Sequence, residues 1–250
     1  MNAEDRAPLS KVALSALIIT AAGAIAFLIS GYGYQWGWWG LYVSFRILLP
    51  GGTILALIGL VLSFVYPFLK NRNPGLRGSG FAYGAAFLGI IVVANFGYWF
   101  YQAQQYPPIH DITTDTENPP RFKAVVPLRA DAPNATEYGG EEIAGIQKEH
   151  YPDIRTLILD RPYPEAFNEA LQAARSTSWE IVGYDQQEGR IEATHTLAWY
   201  GFKDDIVIRV DTAASDSTAS EIDVRSVSRV GRGDIGVNAD RIRDYLARLQ

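Results

Sequence analysis

Three long apolar stretches in the first hundred residues constrain this chain more than any other feature of its sequence. The first, Val12 to Ser30, contains 19 residues without a charge. At 1.5 Å per residue this stretch can cross a hydrocarbon core of about 30 Å. Two similar stretches follow, so we predict a transmembrane region over residues 1–104 with spans at about 12–30, 52–69 and 81–101.

A cleaved signal peptide is the alternative interpretation of the first stretch, with Ala21–Ala26 as the cleavage zone. Signal peptides have apolar runs of about 7–15 residues and are not normally followed by further spans. The length of the first stretch and the two apolar stretches after it favour a retained membrane helix.

The segment between the first two spans is rich in aromatic residues and reads GYGYQWGWWGLYVSFR. Tyrosine and tryptophan rings concentrate at the membrane–water interface, where one part of the ring remains solvated. We therefore expect Trp38–Leu49 to form an interfacial helix that enters the second span after a bend at Pro50-Gly51-Gly52. This aromatic segment is either an ordinary interfacial belt or a site for a lipid or membrane partner.

The positive charges of the helical part are unevenly distributed. Five bases precede the first span or lie between the second and third spans: Arg6, Lys11, Lys70, Arg72 and Arg77. Since cytoplasmic loops are enriched in lysine and arginine, we expect a cytoplasmic N-terminus in a bacterial inner membrane and a periplasmic C-terminal domain. If Trp38–Leu49 were itself a span, that domain would instead be cytoplasmic.

The charge balance changes after residue 104. The first part has six bases and two acids, whereas the remainder has 16 bases and 25 acids, a net charge of −9. An acidic domain argues against nucleic-acid binding, which requires a basic surface. The chain has no cysteine, which excludes disulfides, thiolate metal sites and cysteine nucleophiles. No cofactor is expected.

Residues 105–250 have the pattern of a soluble α+β domain. Residues 105–153 are irregular and rich in proline, and we predict within them a strand at Phe122–Leu128 and a helix at Glu141–Glu149. The core, residues 154–250, has the predicted order strand, helix, four strands, helix. Its predicted strands are Arg155–Asp160, Trp179–Tyr184, Arg190–Trp199, Lys203–Asp211 and Ser220–Val230. We expect an antiparallel sheet with two amphipathic helices on one face.

The two predicted core helices show helical spacing of apolar residues. The first opens at Tyr163-Pro164, and its apolar residues recur at intervals of three and four from Phe167 to Ala174. The second begins near Asn238, a residue type that caps helix N-termini.

Alternation along the strands predicts a polar face on the sheet. Successive side chains of a strand point to opposite faces. If the apolar sides face the helices, the open face carries six polar residues: Glu192, Thr194, Arg209, Asp223, Arg225 and Arg229. Guanidinium groups present a fork of hydrogen-bond donors, so this set is a candidate ligand-binding site for an anion or a lipid head group. Ion pairing across a solvated sheet face is the alternative.

No catalytic constellation stands out in the sequence. His195 lies on the apolar side by the same alternation, which favours a core or cleft-lining role. His110 and His150 lack metal-ligand spacing, so no metal site is expected. The glycine-rich segment Arg229–Gly236 precedes a helix but lacks the lysine of a phosphate-binding Walker loop.

Three blocks of this region carry a family resemblance: IEATHT from Ile191, YGFKDDIVIR from Tyr200 and IDVRSVSRVGRGDIGVNADRIR from Ile222. They resemble the bacterial and plastid domain-of-unknown-function family 1499, over roughly Tyr151 to Leu249. The matching positions are Glu192, Gly201, Phe202, Asp205, Arg209, Asp223, Arg225, Ser226, Ser228, Arg229, Gly231, Asp234, Gly236, Asn238 and Arg241.

The resemblance implies an envelope or thylakoid-lumen setting and no established activity. Many members carry a Cys-Pro…Asn-Cys stretch before this region, but Ile109 to Pro120 contains no cysteine here. Any role that depends on those cysteines therefore does not carry over.

Three functions are compatible with these observations. The leading hypothesis is a non-enzymatic envelope protein whose periplasmic domain binds an anionic ligand, a lipid head group or a protein partner. The second is a structural subunit of a membrane-protein complex. The third is a hydrolase or transferase whose site would combine Arg225, Arg229 and Asp205, with His195 as an optional fourth member.

Overall fold

A computed structural model describes residues 8–214 and 216–250 of the chain, which form two compact units. Of the described residues, the helical unit comprises residues 8–102 together with Trp199–Gly201. The α+β unit comprises Ala103–Ala198 and Phe202–Gln250. Arg6, one of the bases that precede the first span, lies outside the described residues.

Three long helices form the helical unit: α1 at Lys11–Gln35, α2 at Leu49–Arg72 and α3 at Ser79–Gln102. Each is long and apolar enough to cross a membrane. Small residues bring α1 and α2 together, since a Cβ at Gly23 would lie 2.5 Å from the Gly52 carbonyl oxygen. Close approach of this kind is typical of packed membrane helices. The prediction of three apolar spanning helices is confirmed.

The aromatic segment before α2 differs from the prediction. Val43–Leu48 forms a π-helix that continues directly into α2. Pro50 lies in the first turn of α2, where the missing N–H of proline has no cost, so the predicted bend at Pro50-Gly51-Gly52 is wrong. Within residues 8–214 and 216–250, Val43–Arg72 counts as one spanning candidate among three, which does not support a fourth span.

The α+β unit contains an antiparallel sheet and three helices. The helices are α4 at Gly140–His150, α5 at Tyr163–Arg175 and α6 at Val237–Leu246. The strands are β1 at Asp111–Thr113, β2 at Leu157–Leu159, β3 at Glu180–Asp185, β4 at Arg190–Thr196, β5 at Lys203–Ala213 and β6 at Asp216–Ser228. The sheet order is β1-β6-β5-β4-β3, and β2 pairs with another part of β6. The α+β prediction is confirmed.

The main core lies between the sheet and helices α5 and α6. Phe167 and the alanines of α5 pack with Ile242 and Tyr245 of α6 against Ile206 and Ile208 of β5. The Tyr245 hydroxyl also donates a 2.9 Å hydrogen bond to the Ala170 carbonyl. The helical spacing read from the sequence therefore identifies the buried face of α5 correctly.

The start of α6 uses a different cap from the predicted one. Its N-cap is Gly236 in a left-handed conformation (φ 79°), and Asn238 lies inside the helix. The Asp234 carboxylate accepts the N–H groups of Gly236 and Asn238, each at 2.9 Å. Asn238 is buried, and its amide donates to the His110 carbonyl at 3.0 Å.

Strand β1 was missed because three residues are too few for an alternating pattern. Its partners are Val227, Ser226 and Arg225 of β6. The side chain of Gln147 on α4 pairs with the backbone of Thr113 at the outer edge of β1. It accepts the Thr113 N–H at 3.0 Å and donates to the Thr113 carbonyl at 2.6 Å.

Candidate anion-binding site

The second face of the sheet is covered rather than open. Strand alternation does place the predicted polar residues on one face, but the irregular chain between β1 and α4, residues 114–139, packs over them and is called the covering segment below. Phe122 and Val125 of that chain are buried against Val207 and Val227. Glu192 has no exposed surface and Arg225 is 2% exposed. The expectation of an open face is wrong, because this segment covers the face although its sequence has no regular pattern.

The predicted strand at Phe122–Leu128 is also wrong. The backbone N–H groups of Lys123, Ala124 and Val125 donate to the Glu192 carboxylate at 2.9–3.1 Å, and a 3-10 helix follows at Val126–Arg129. Arg190 also contacts Glu192. The buried Glu192 carboxylate accepts the backbone N–H groups of this segment, so the segment does not need a neighbouring strand to accept them.

Asp205 binds two arginines on the covered face. Arg229 approaches it with Nε and Nη2, both at 2.8 Å, and Arg129 donates from Nη1 at 3.0 Å. Thr194 donates its hydroxyl to Asp205 at 2.7 Å. Burial lowers the pKa of Arg129, while Asp205 opposes that effect by favouring the charge. Asp205 is therefore the charge partner on which both guanidinium groups depend.

Arg225 connects the sheet to the covering segment. Its Nε and Nη2 form a bidentate pair with Asp111 of β1 at 2.9 and 2.7 Å. It also donates to the carbonyls of Pro120 at 3.1 Å and Thr136 at 2.8 Å, and its guanidinium lies over the Phe122 ring. Every one of these partners lies inside the domain.

Asp223 and Arg209 form the third ion pair of this face. Asp223 accepts the hydroxyls of Thr114 and Thr156 at 2.7 and 2.6 Å and an Arg209 N–H at 2.7 Å. Burial opposes the charge of Arg209, but its hydrogen bonds to Asp223 and Asp115 raise its pKa. All six residues of the predicted ligand set thus have partners within the domain, and their ligand role stays a prediction.

A pocket of about 400 Å³ lies beside this network, where the covering segment meets β4 and β5. Its charged lining residues are Arg121, Lys123, Glu188, Arg190 and Arg209. Of the predicted ligand set, Arg209 is the residue that lines this pocket. The other three bases were not singled out from the sequence, although alternation along β4 places Arg190 on the same face as Glu192 and Thr194.

The bases of the pocket differ in how they are paired. Lys123 Nζ and Arg190 Nη2 lie 2.6 and 2.8 Å from the Glu188 carboxylate. Arg121 is exposed, and its side chain makes no ion pair or hydrogen bond with the residues that the structure describes. Arginine and lysine at these positions can donate several charge-assisted hydrogen bonds to one acidic group.

His195 lies on the other face of the sheet, as the sequence predicts. Its Nδ1 is 3.1 Å from Arg241, which also pairs with Asp204 at 2.6 Å. Burial, followed by the charge of Arg241, lowers the pKa of His195. The structure brings Arg229 to Asp205 but leaves His195 on the opposite face, so His195 does not join the site of the hydrolase or transferase hypothesis. In the described ranges, no group of three or more potential ligands is placed to hold a metal.

Taken together, these units define a protein with three membrane-spanning candidates and an α+β domain that is tied together by buried arginine–carboxylate pairs. The chain belongs to the family described as "Protein of unknown function (DUF1499)", which matches residues 111–249. The match begins at Asp111, the partner of Arg225, and so extends further towards the N-terminus than the resemblance recognised in the sequence. No curated protein and no solved structure matches the chain.

Proposed function

We propose that this protein is a non-catalytic membrane-anchored module whose α+β domain binds a small anion. The observation that carries the proposal is the pocket with four basic lining residues and a single acidic one. The domain has a large negative net charge, so a long-range field would not attract anions to it. Recognition would depend on the local donors of the pocket.

The buried ion pairs favour such a site because they fix two of its bases. Arg209 is held by Asp223 and Asp115, and Arg190 is held by Glu192. Donors that are already ordered lose less conformational entropy when a ligand binds. Arg121 has no such partner among the described residues and is the base most available to a ligand.

The Arg121→Gln variant is expected to bind phenyl phosphate about fivefold more weakly than the wild type. One charge-assisted contact at a partly exposed site contributes about 1 kcal/mol, which corresponds to that factor. Stability should be unchanged because Arg121 is exposed. The measurement is calorimetric titration of the full-length protein in a non-ionic detergent.

Arg232→Gln is the matched control, because Arg232 is also exposed and does not line the pocket. It should bind phenyl phosphate as the wild type does. If both variants bound phenyl phosphate equally weakly, the loss of affinity would come from net charge alone. If all three proteins bound it equally well, Arg121 would not belong to the site.

The proposed location is a bacterial inner membrane with the N-terminus in the cytoplasm and the α+β domain in the periplasm. Within the helical unit, Ser10 donates to the Arg77 carbonyl at 2.8 Å, and Arg77 donates to the Pro8 carbonyl at 3.0 Å. These bonds bring the start of α1 beside the loop between α2 and α3. Lys11, Lys70, Arg72 and Arg77 consequently lie at one end of this unit, which supports a cytoplasmic assignment of that end.

Alkaline phosphatase fusions test this orientation. A fusion after Gln250 should be active, because the enzyme needs disulfides that form in the periplasm, and a fusion at Arg72 should be inactive. Immunoblotting should confirm equal amounts of the two fusions. Activity at Arg72 together with inactivity at Gln250 would reverse the proposed orientation.

A further inference from the structure

The pocket already contains a carboxylate of the chain itself. Glu188 lies in the turn between β3 and β4, and it is the one acidic residue among the described residues that line the pocket. Its carboxylate is 2.6 Å from Lys123 Nζ and accepts Arg190 Nη2 and Nε at 2.8 and 3.1 Å. Both Arg190 nitrogens donate to Oε2 and Lys123 binds Oε1, so the two cations between them hold both oxygens of one acidic group.

Glu188 is held less firmly than the other carboxylates near the pocket. Glu192 is fixed by backbone N–H groups of the covering segment, and Asp223 is fixed by two threonine hydroxyls. The Glu188 side chain is 42% exposed, and its hydrogen-bond partners are the two cations Lys123 and Arg190. Exposed ion pairs of this kind contribute little to stability, so Glu188 can exchange for another anion.

The turn does not depend on the Glu188 side chain for its conformation. The Asp185 carboxylate accepts the backbone N–H groups of Gln187 and Glu188 at 2.9 and 3.1 Å. Hydrogen bonds from Lys123 and Arg190 lower the pKa of Glu188, so its carboxylate is charged at neutral pH. Release of the side chain would leave the turn intact and two cations available.

The remaining lining of the pocket includes apolar surface. Pro119 of the covering segment is partly exposed, whereas Pro120 and Val207 are buried and add little surface. The volume of about 400 Å³ is several times that of one carboxylate or phosphate group. An acidic group alone would fill the basic part and leave the apolar part unoccupied.

From this arrangement we infer that the ligand is an organic acid or phosphate monoester whose acidic group replaces Glu188 between Lys123 and Arg190. Its apolar part packs against Pro119. The inference rests on the proposed anion-binding function and names the class of ligand for that same pocket.

The test compares the Glu188→Gln variant with the wild type in calorimetric titrations of the full-length protein with phenyl phosphate. Glutamine removes the competing charge, so binding should become about three- to tenfold tighter. Glu169→Gln is the matched control, because Glu169 is similarly exposed, pairs with Arg161 at 3.2 Å and lies outside the pocket. It should bind as the wild type does. Inorganic phosphate should bind more weakly than phenyl phosphate.

Three other outcomes would refute, respectively, the displacement of Glu188, the organic ligand and the proposed function. If the wild type binds phenyl phosphate as tightly as Glu188→Gln does, Glu188 is not displaced by the ligand, but the proposed function still stands. Inorganic phosphate that binds as tightly as phenyl phosphate refutes the organic ligand in favour of free phosphate. Failure of every protein to bind either probe refutes the proposed function as well.

Discussion

Asp205→Asn is expected to destabilise the α+β domain by about 3–5 kcal/mol, the range for removing one partner of a buried ion pair. The change leaves Arg129 and Arg229 on the covered face without their shared carboxylate. Both side chains are largely buried, so water cannot replace the lost partner. The measurement is protease resistance of the domain in a urea series, with the full-length protein in detergent.

Asp211→Asn is the matched control on the same strand. The Asp211 carboxylate lies 3.0 Å from Arg209 Nε without the geometry of a hydrogen bond, and its side chain is 56% exposed. Exposed pairs contribute at most about 1 kcal/mol, so this variant should unfold close to the wild-type urea concentration. Similar urea midpoints for the two variants would contradict the burial of the Asp205 cluster.

Arg225→Gln is expected to have an effect of similar size, about 3–5 kcal/mol. It leaves Asp111 of β1 as an unpaired buried carboxylate and removes donors from the carbonyls of Pro120 and Thr136. The covering segment and β1 should both loosen, because Arg225 joins them. Protease cleavage between residues 111 and 138, located by mass spectrometry, reports on that loosening.

Arg232→Gln again serves as the control, since Arg232 is exposed, and it should not change the cleavage pattern. An Arg225→Gln protein within about 1 kcal/mol of the wild type would mean that Asp111 and Arg225 do not depend on each other. Such tolerance is what an open face would predict, so the experiment separates the covered face from the open one.

The sequence predicts those parts of the fold that depend on local patterns. The length of the uncharged apolar stretches is sufficient to identify α1, α2 and α3, because every span must be apolar and long enough to cross the hydrocarbon core. Spacing from Phe167 to Ala174 predicts the buried face of α5, and alternation assigns Glu192 and Arg225 to the same sheet face. These assignments need no knowledge of distant contacts.

The covered face could not be predicted because its cover depends on contacts between distant residues. Lys123, Ala124 and Val125 are held by Glu192, which lies almost seventy residues further along the chain. Neither periodicity nor residue preference in the segment indicates such a partner. The same segment supplies Arg121 and Lys123, so the sequence pattern could indicate only the two pocket bases on regular strands, Arg190 and Arg209.

Native mass spectrometry of the gently purified full-length protein tests most directly whether the pocket holds a small organic anion. We expect one small acidic molecule per chain in the wild type and in Arg232→Gln, and a reduced fraction bound in Arg121→Gln. A molecule retained equally by all three proteins would place the ligand elsewhere, and its absence from all three would contradict the claim.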